Sequence, residues 1–360
     1  MLAYPPEQPV SQGDGLQSAG SPLQGERSGP ASVASVMEEL DLEVRSGNAG
    51  RLRPLPLGFQ PLDDVLNGGV RRGELLVLAG PPGVGKTTFA LQAARNAVML
   101  DPRCQAMYVC YEHSRVHMLM RLLCLESAER GLGDDALTLR SLAQMAAQGA
   151  GRAGLLDQLR RIARYAGVLE NLATYQDRLT LVSASSDDSS LDRIYNWIRS
   201  AYPSGGGRLL LVVDYLQKIP ALRDEAQGET ETTTQLTHGL KEMAMSLDIA
   251  VIAIAAADRE GLKARRLRLH DLRGSSALQY EADVGLVLNN KYAIVSREHV
   301  VYNPAQAEAM RNWVVFSLEK NRNGRHSIDL EHALDAAHFR VVPAGGLVRE
   351  HLVDEKIAMA

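Results

Sequence analysis

The sequence predicts an α/β fold: a mainly parallel sheet with helices on both faces and antiparallel strands appended at its C-terminal side. Three observations carry this. Short apolar runs alternate with longer helical stretches from residue 54 onward, a glycine-rich loop joins the first run to the first helix, and the last three runs follow one another without helices between them. Leu75-Leu-Val-Leu-Ala-Gly80 is too short for a helix and apolar throughout, as a strand covered on both faces is. A helix follows from Thr87. AMYVCY (106–111) is the next strand, and Ser114 is placed to cap the helix after it. Residues 130–175, rich in Ala, Leu and Gln, predict two helices inserted between strands. LTLVSA (179–184), LLLVVD (209–214) and IAVIAIAAA (249–257) continue the parallel set. WVVFSLEK (313–320), HSIDLEH (326–332) and HFRVV (338–342) have no crossover helices and so return antiparallel.

The ends read differently. Residues 1–30 hold five of the fifteen prolines and almost no branched apolar residues, so burial there does not offset the entropy of ordering, and a disordered tail is expected. From Ala31, the residues Val33, Val36, Met37 and Leu40 recur at the spacing of one helical face, which predicts a helix over 31–46 that needs a surface to dock on. The main domain then spans 47–345, and 346–360 reads as a C-terminal tail.

Composition narrows the function. The longest apolar runs fall far short of the ~20 residues of a membrane helix, no basic segment precedes an apolar one at the N-terminus, and three cysteines without a CxxC pair exclude a disulfide framework. A soluble cytoplasmic protein without membrane contact is expected. The formal charge is −4, and residues 1–50 carry seven acids against two arginines, so the rest of the chain is close to neutral. Nucleic-acid binding therefore has to come from a local patch.

The strongest chemical signal is Gly80-Pro81-Pro82-Gly83-Val84-Gly85-Lys86-Thr87-Thr88, set between a strand and a helix. This is a phosphate-binding P-loop in its required context. Its backbone N–H groups and the helix N-terminus cradle phosphate oxygens, Lys86 reaches the β- and γ-phosphates, and the Thr87 hydroxyl ligates Mg²⁺. ATP and Mg²⁺ are the expected ligands. Such a site needs an acid at the end of a neighbouring strand to organise the metal's water shell, and Asp214 stands there. Hydrolysis also needs a group that orients or deprotonates the attacking water, and Glu112 follows the strand AMYVCY, unless it is only a carboxylate at a helix start. Cys110, His113, His117 and Cys124 have spacing that a zinc set could use, but Cys110 falls in a buried strand and Cys124 in an apolar helical string, so core cysteines and surface histidines are expected instead. Arg259, Lys263, Arg265, Arg266 and Arg268, with Arg273 beyond them, form a basic run after IAVIAIAAA. It is either a solvated loop or a contact for single-stranded DNA.

Taken together, LPLGFQPLDDVLNGGVRRGELLVLAGPPGVGKTTFALQAA (55–94), CYEHSRVHMLMRLLCLES (110–127), DYLQ (214–217), DLRGSSALQYEADV (271–284) and EKNRNG (319–324) resemble, in order, the RecA-like motor domain of DnaB-type replicative helicases. The resemblance runs over about residues 31–342 and implies a RecA-like fold and a ring, by expectation a homohexamer, that hydrolyses ATP while moving on single-stranded DNA. It implies that Glu112 is the catalytic glutamate, Asp214 the Mg²⁺-organising aspartate and Gln217 the glutamine after it. Lys320 and Arg322 are then the pair that reaches the ATP site of the next subunit, and 31–46 the linker helix that docks on a neighbour. Three departures accompany it: the tail stands where the family has a primase-binding collar, Ala256 stands where a strand-end glutamine is usual, and the helical insertion is longer than the family leads one to expect. A second reading is a RecA- or KaiC-like ATPase whose nucleotide state controls assembly with a protein partner, with the tail as a candidate contact, without unwinding.

Overall fold

The computed structural model describes residues 29–46, 49–202, 208–220, 228–258, 261–272, 274–295 and 308–353. Residues 1–28 of the expected tail, Arg259, Arg273 and residues 354–360 lie outside the described residues.

Helix α1 (Val33–Arg45) and the single turn α2 (Leu62–Val65) lead into β1 (Leu75–Ala79). Then come α3 (Lys86–Leu100), β2 (Cys104–Cys110) and α4 (Arg115–Glu129), followed by α5 (Leu139–Gly149), α6 (Leu155–Arg161) and α7 (Ala163–Ala173). The insertion thus holds three helices, one more than its composition predicts, because Gly149 to Gly154 and Ile162 interrupt the periodic stretch. Next are β3 (Leu179–Ser183), α8 (Leu191–Ala201), β4 (Arg208–Asp214), α9 (Glu229–Ser246) and β5 (Ala250–Ile254). The chain closes with α10 (Ser275–Glu281), β6 (Val284–Asn290), α11 (Lys291–Ile294), β7 (Trp313–Asn321), β8 (Ile328–Asp335), β9 (Arg340–Val341) and β10 (Gly346–Leu347).

The ten strands among the described residues belong to one sheet, ordered β10-β8-β7-β6-β1-β5-β4-β2-β3, with β9 paired to β8. Strands β6 through β3 in that order run parallel, and β7, β8, β9 and β10 are antiparallel, as the helix-free late segments predicted. Strand β6 escaped the sequence reading, since VGLVL follows the helix-forming SSALQYE with only Ala282 and Asp283 between them. Residues 346–353, expected as tail, are instead tied to the sheet through β10 and a bridge between Val295 and Leu352.

Alternation across the sheet builds two cores. Leu76 and Leu78 of β1 face one with Phe89, Tyr108, Val212, Ile252 and Phe316, while Leu75, Val77 and Ala79 face the other with Ile194, Val213, Leu240 and Val251. A third, smaller cluster of Leu123, Leu142, Leu159, Tyr165 and Val168 holds α5, α6 and α7 against α4. Arg95 on α3 ties that helix to α4, donating to both carboxylate oxygens of the buried Glu126 at 2.6 and 2.8 Å. No helix among the described residues is long and apolar enough to cross a membrane.

One core residue makes stability depend on pH. His332 of β8 is fully buried, its Nδ1–H donates to the Val342 carbonyl at 2.9 Å, its ring lies 4.6 Å from Phe316, and its Nε2 has no partner. Burial pushes its pKa below the ordinary histidine value. The group therefore contributes stability that is complete above the unfolded pKa and is lost as pH falls toward the folded one. Urea unfolding from about pH 8 to about pH 5.5 is expected to fall more steeply in the wild type than in His332→Leu. Equal slopes would remove His332 as the cause.

Candidate functional site

The loop between β1 and α3 opens into a cavity of about 520 Å³ at the C-terminal edge of the parallel strands, where ligands bind in open α/β sheets. Gly80, Pro82, Gly83, Gly85, Lys86, Thr87 and Thr88 line it, while Pro81 and Val84 do not, Val84 being buried. Gly80 is required by a close approach, because a Cβ there would meet the Leu288 carbonyl at 2.6 Å. Gly85, the N-cap of α3, has φ 101° in the left-handed region that favours glycine. The α3 N-terminus thus reaches the cavity with its backbone N–H groups unobstructed. The Lys86 ammonium folds back on its own loop, donating to the Gly80 and Pro81 carbonyls at 2.8 and 3.0 Å. Burial lowers its pKa, against the pull of Asp214 and Glu112.

Asp214 ends β4, and the order of strands puts β5 between it and β1. The acid is thus on the strand next but one to the P-loop strand, a correction to the expectation of an adjacent strand. It is buried and accepts a hydrogen bond from the Tyr108 hydroxyl at 2.8 Å. Burial raises its pKa, while hydrogen bonds from Tyr108 and Thr87 hold the carboxylate form. Glu112 lies past the end of β2, exposed and on the cavity wall. It does not cap a helix: Ser114 does, its hydroxyl accepting from the His117 N–H at 3.2 Å.

The intervening β5 delivers Ile254, Ala255, Ala256 and Ala257 to the same wall. The apolar run expected to extend to 257 leaves the ladder after Ile254, which is how these alanines come to face the cavity. Gln217 does not line the cavity; its side-chain oxygen accepts from the Ala256 N–H at 3.0 Å and its Nε2 is buried without a partner. The sequence reading missed Arg121, which lines the cavity from α4, and Phe339, which covers the guanidinium at 4.9 Å. The signal for Arg121 was its place four residues past His117, one helical turn along the same face.

Cys110 and Cys124 are buried thiols, and no metal-binding group of three His, Cys, Asp or Glu forms among the described residues. The basic run is not one solvated strip. Arg266 is buried, with Nη2 on Asp329 Oδ1 at 2.5 Å and on Ser317 Oγ at 3.0 Å, because the chain at Leu267 and Leu269 tucks into the core and draws its neighbour with it. Arg268 pairs with Glu319 at 3.1 Å. Lys263 and Arg265 remain exposed, and Arg265 also donates to the Ala293 and Val295 carbonyls. Lys320 and Arg322 do not reach the chain's own cavity. Lys320 Nζ donates to the Gln279 and Tyr280 carbonyls, and Arg322 pairs with Asp283 at 3.3 Å and donates to the Tyr280 carbonyl.

Residues 54–340 match the family model described as the DnaB-like helicase C-terminal domain. The chain belongs to that family. Among curated relatives, the replicative DNA helicase DnaB of Geobacillus stearothermophilus is 26% identical over 246 residues, covering 68% of this chain and 49% of that protein. The replicative DNA helicase DnaB of Rickettsia bellii is 27% identical over 285 residues, covering 75% and 51%. The chain thus spans about half the length of the curated relatives it matches. Among solved structures, an isolated ATPase domain aligns with a TM-score of 0.66 at 21% identity, covering 87% of this chain and 99% of that one. A DnaB-like replicative helicase studied for its interactions with primase aligns at 0.61 and 22%, covering 88% and 68%. The DnaB-like fold accounts for the RecA-like sheet and its antiparallel extension.

Proposed function

We propose that the chain is the ATP-hydrolysing motor of a ring-forming, cytoplasmic translocase or helicase on single-stranded DNA, with ATP as substrate and Mg²⁺ as cofactor. One observation carries the reading: the cavity holds the P-loop, Asp214 and Glu112, while the paired cations Lys320 and Arg322 stand away from it on another face. A site so divided is completed when the face of one subunit meets the cavity of the next. Helix α1 supports the same assembly, since none of its residues is buried and Val33, Val36, Met37 and Leu40 are exposed along one side. A hexamer belongs to this reading through the family resemblance.

The residues fit the ligands. Thr87 offers a hydroxyl beside the buried Asp214 carboxylate, an oxygen donor set that would hold a hard divalent cation, and such a cation would supply charge neutralisation for the phosphates. Lys86 exchanges its loop carbonyls for phosphate oxygens, and the glycine loop and α3 N-terminus bind the phosphates by backbone N–H groups. Glu112, exposed to water at the wall, orients the attacking water and takes its proton. Arg121, lined up in the same wall without a carboxylate partner among the described residues, adds a cis cation toward the polyphosphate.

For DNA, the exposed cations Lys263 and Arg265 are the first contacts, with the ring multiplying a weak interaction. ATPase is expected to rise with single-stranded DNA. Binding should weaken with salt at a slope of about −0.7 per neutralised phosphate. Lys263→Ala with Arg265→Ala should flatten that slope in a binding titration. An ATPase indifferent to single-stranded DNA at low and high salt would favour a nucleotide-dependent assembly switch instead.

A further inference from the structure

We propose that His113 and His117 are positioning residues that hold the Arg121 guanidinium in line with the polyphosphate end of the cavity. This rests on the reading of that cavity as an ATP site. His113 directly follows Glu112, and His117 lies in the first turn of α4. Arg121 Nε donates to His117 Nε2 at 3.1 Å, and Arg121 Nη2 meets His113 Nε2 at 2.9 Å. The two imidazoles pack together with centroids 4.8 Å apart, and Phe339 closes the other side of the guanidinium.

A guanidinium only donates, so both Nε2 atoms accept, and each ring is neutral with its proton on Nδ1. This arrangement differs physically from the usual anchoring of arginine by a carboxylate. A carboxylate would fix the group and cancel its charge; two neutral imidazoles fix it and leave the charge whole for an anionic ligand. Among the described residues Arg121 has no ion pair, and its Nη1 makes no hydrogen bond. An aimed cation with donors to spare is what a phosphate group recognises.

The same contacts make the hold depend on protonation. A proton on either Nε2 replaces an acceptor by a donor and sets a second positive charge beside the guanidinium. The other groups facing this cluster do not substitute for it. Glu112 lies beyond the end of β2, Tyr108 and Cys110 are on β2, Asp214 is on β4 and Lys86 is on α3; on the segment that carries Phe339, His338 and Asp335 are paired with each other at 2.7 Å. Burial and the nearby arginine both lower the pKa of His113 and of His117, so the neutral, accepting form prevails at neutral pH.

The test is steady-state ATPase of the full chain at about pH 8 and about pH 6, with binding of ATP and ADP measured separately. His113→Ala with His117→Ala is expected to raise KM for ATP about tenfold, the size of a lost hydrogen bond to a charged group. ADP affinity should change much less. His117→Gln, whose amide oxygen accepts the same N–H and takes up no proton, should restore most of what His117→Ala loses. His113→Gln with His117→Gln should flatten the acid-side rise in KM relative to wild type. Since ATP itself titrates in this range, the comparison is between variants. An unchanged KM in the double alanine variant, or an acid limb unaltered in the double glutamine variant, overturns the proposal. So does an equal loss of ATP and ADP affinity accompanied by a lower melting temperature, which would make the histidines a brace for α4. If the wild type binds no nucleotide, the reading of the cavity fails, and that outcome is separate from either of these.

Discussion

Glu112→Gln is expected to keep ATP binding and to lose turnover by about 10²–10⁴-fold, the contribution of a positioned general base. The glutamine amide fills the same space at the end of β2 and disturbs no buried contact, since Glu112 is exposed and helix α4 is capped by Ser114. Phosphate binding stays with the P-loop backbone and Lys86, which the substitution does not touch. Only proton acceptance from the attacking water is removed. Equilibrium binding of a fluorescent ATP analogue, beside phosphate release, separates the two effects. Near wild-type phosphate release would return Glu112 to the status of a loop carboxylate.

The second large effect concerns assembly. Arg322→Ala is expected to lower ATPase by about 10³–10⁵-fold, the range for an arginine supplied in trans. The residue follows β7, where Asp283 and the Tyr280 carbonyl hold it away from the chain's own cavity. The loss should therefore be complemented between subunits. Lys86→Ala disables its own cavity and keeps a normal Arg322; mixed with Arg322→Ala, it creates junctions at which an intact cavity meets an intact arginine. Activity of the mixture above either variant alone is the expected result. Full activity of a monomer in sedimentation would refute a shared site.

Much of the site was legible because it is local in sequence. The P-loop is a contiguous stretch whose glycines, lysine and threonine are dictated by backbone geometry and phosphate charge, and its strand and helix context is equally local. Asp214 and Glu112 were legible because each lies at or just past the end of an apolar strand, and parallel strands carry their ends to one edge of the sheet. The same logic accounts for the antiparallel late strands, where the lack of crossover residues leaves no other return.

What the sequence left open depended on contacts between distant segments. Five cations in one stretch look alike on paper, yet Arg266 turns inward to Asp329 some sixty residues away while Arg265 stays outside, because Leu267 and Leu269 next to it are drawn into the core. That β5 separates the P-loop strand from Asp214, and so brings Ala256 to the cavity wall and Gln217 to its backbone, follows from strand order, which no local pattern encodes. The grip of His113 and His117 on Arg121 shows both levels. Helical spacing set His117 and Arg121 on one face of α4 and left His113 just ahead of its cap, but only the packing of α4 under Phe339 and beside the P-loop brought the three together at the cavity. Chain-local rules of spacing, strand ends and loop geometry determined which groups are available; burial and strand order, which are sums over the whole fold, decided which of them meet.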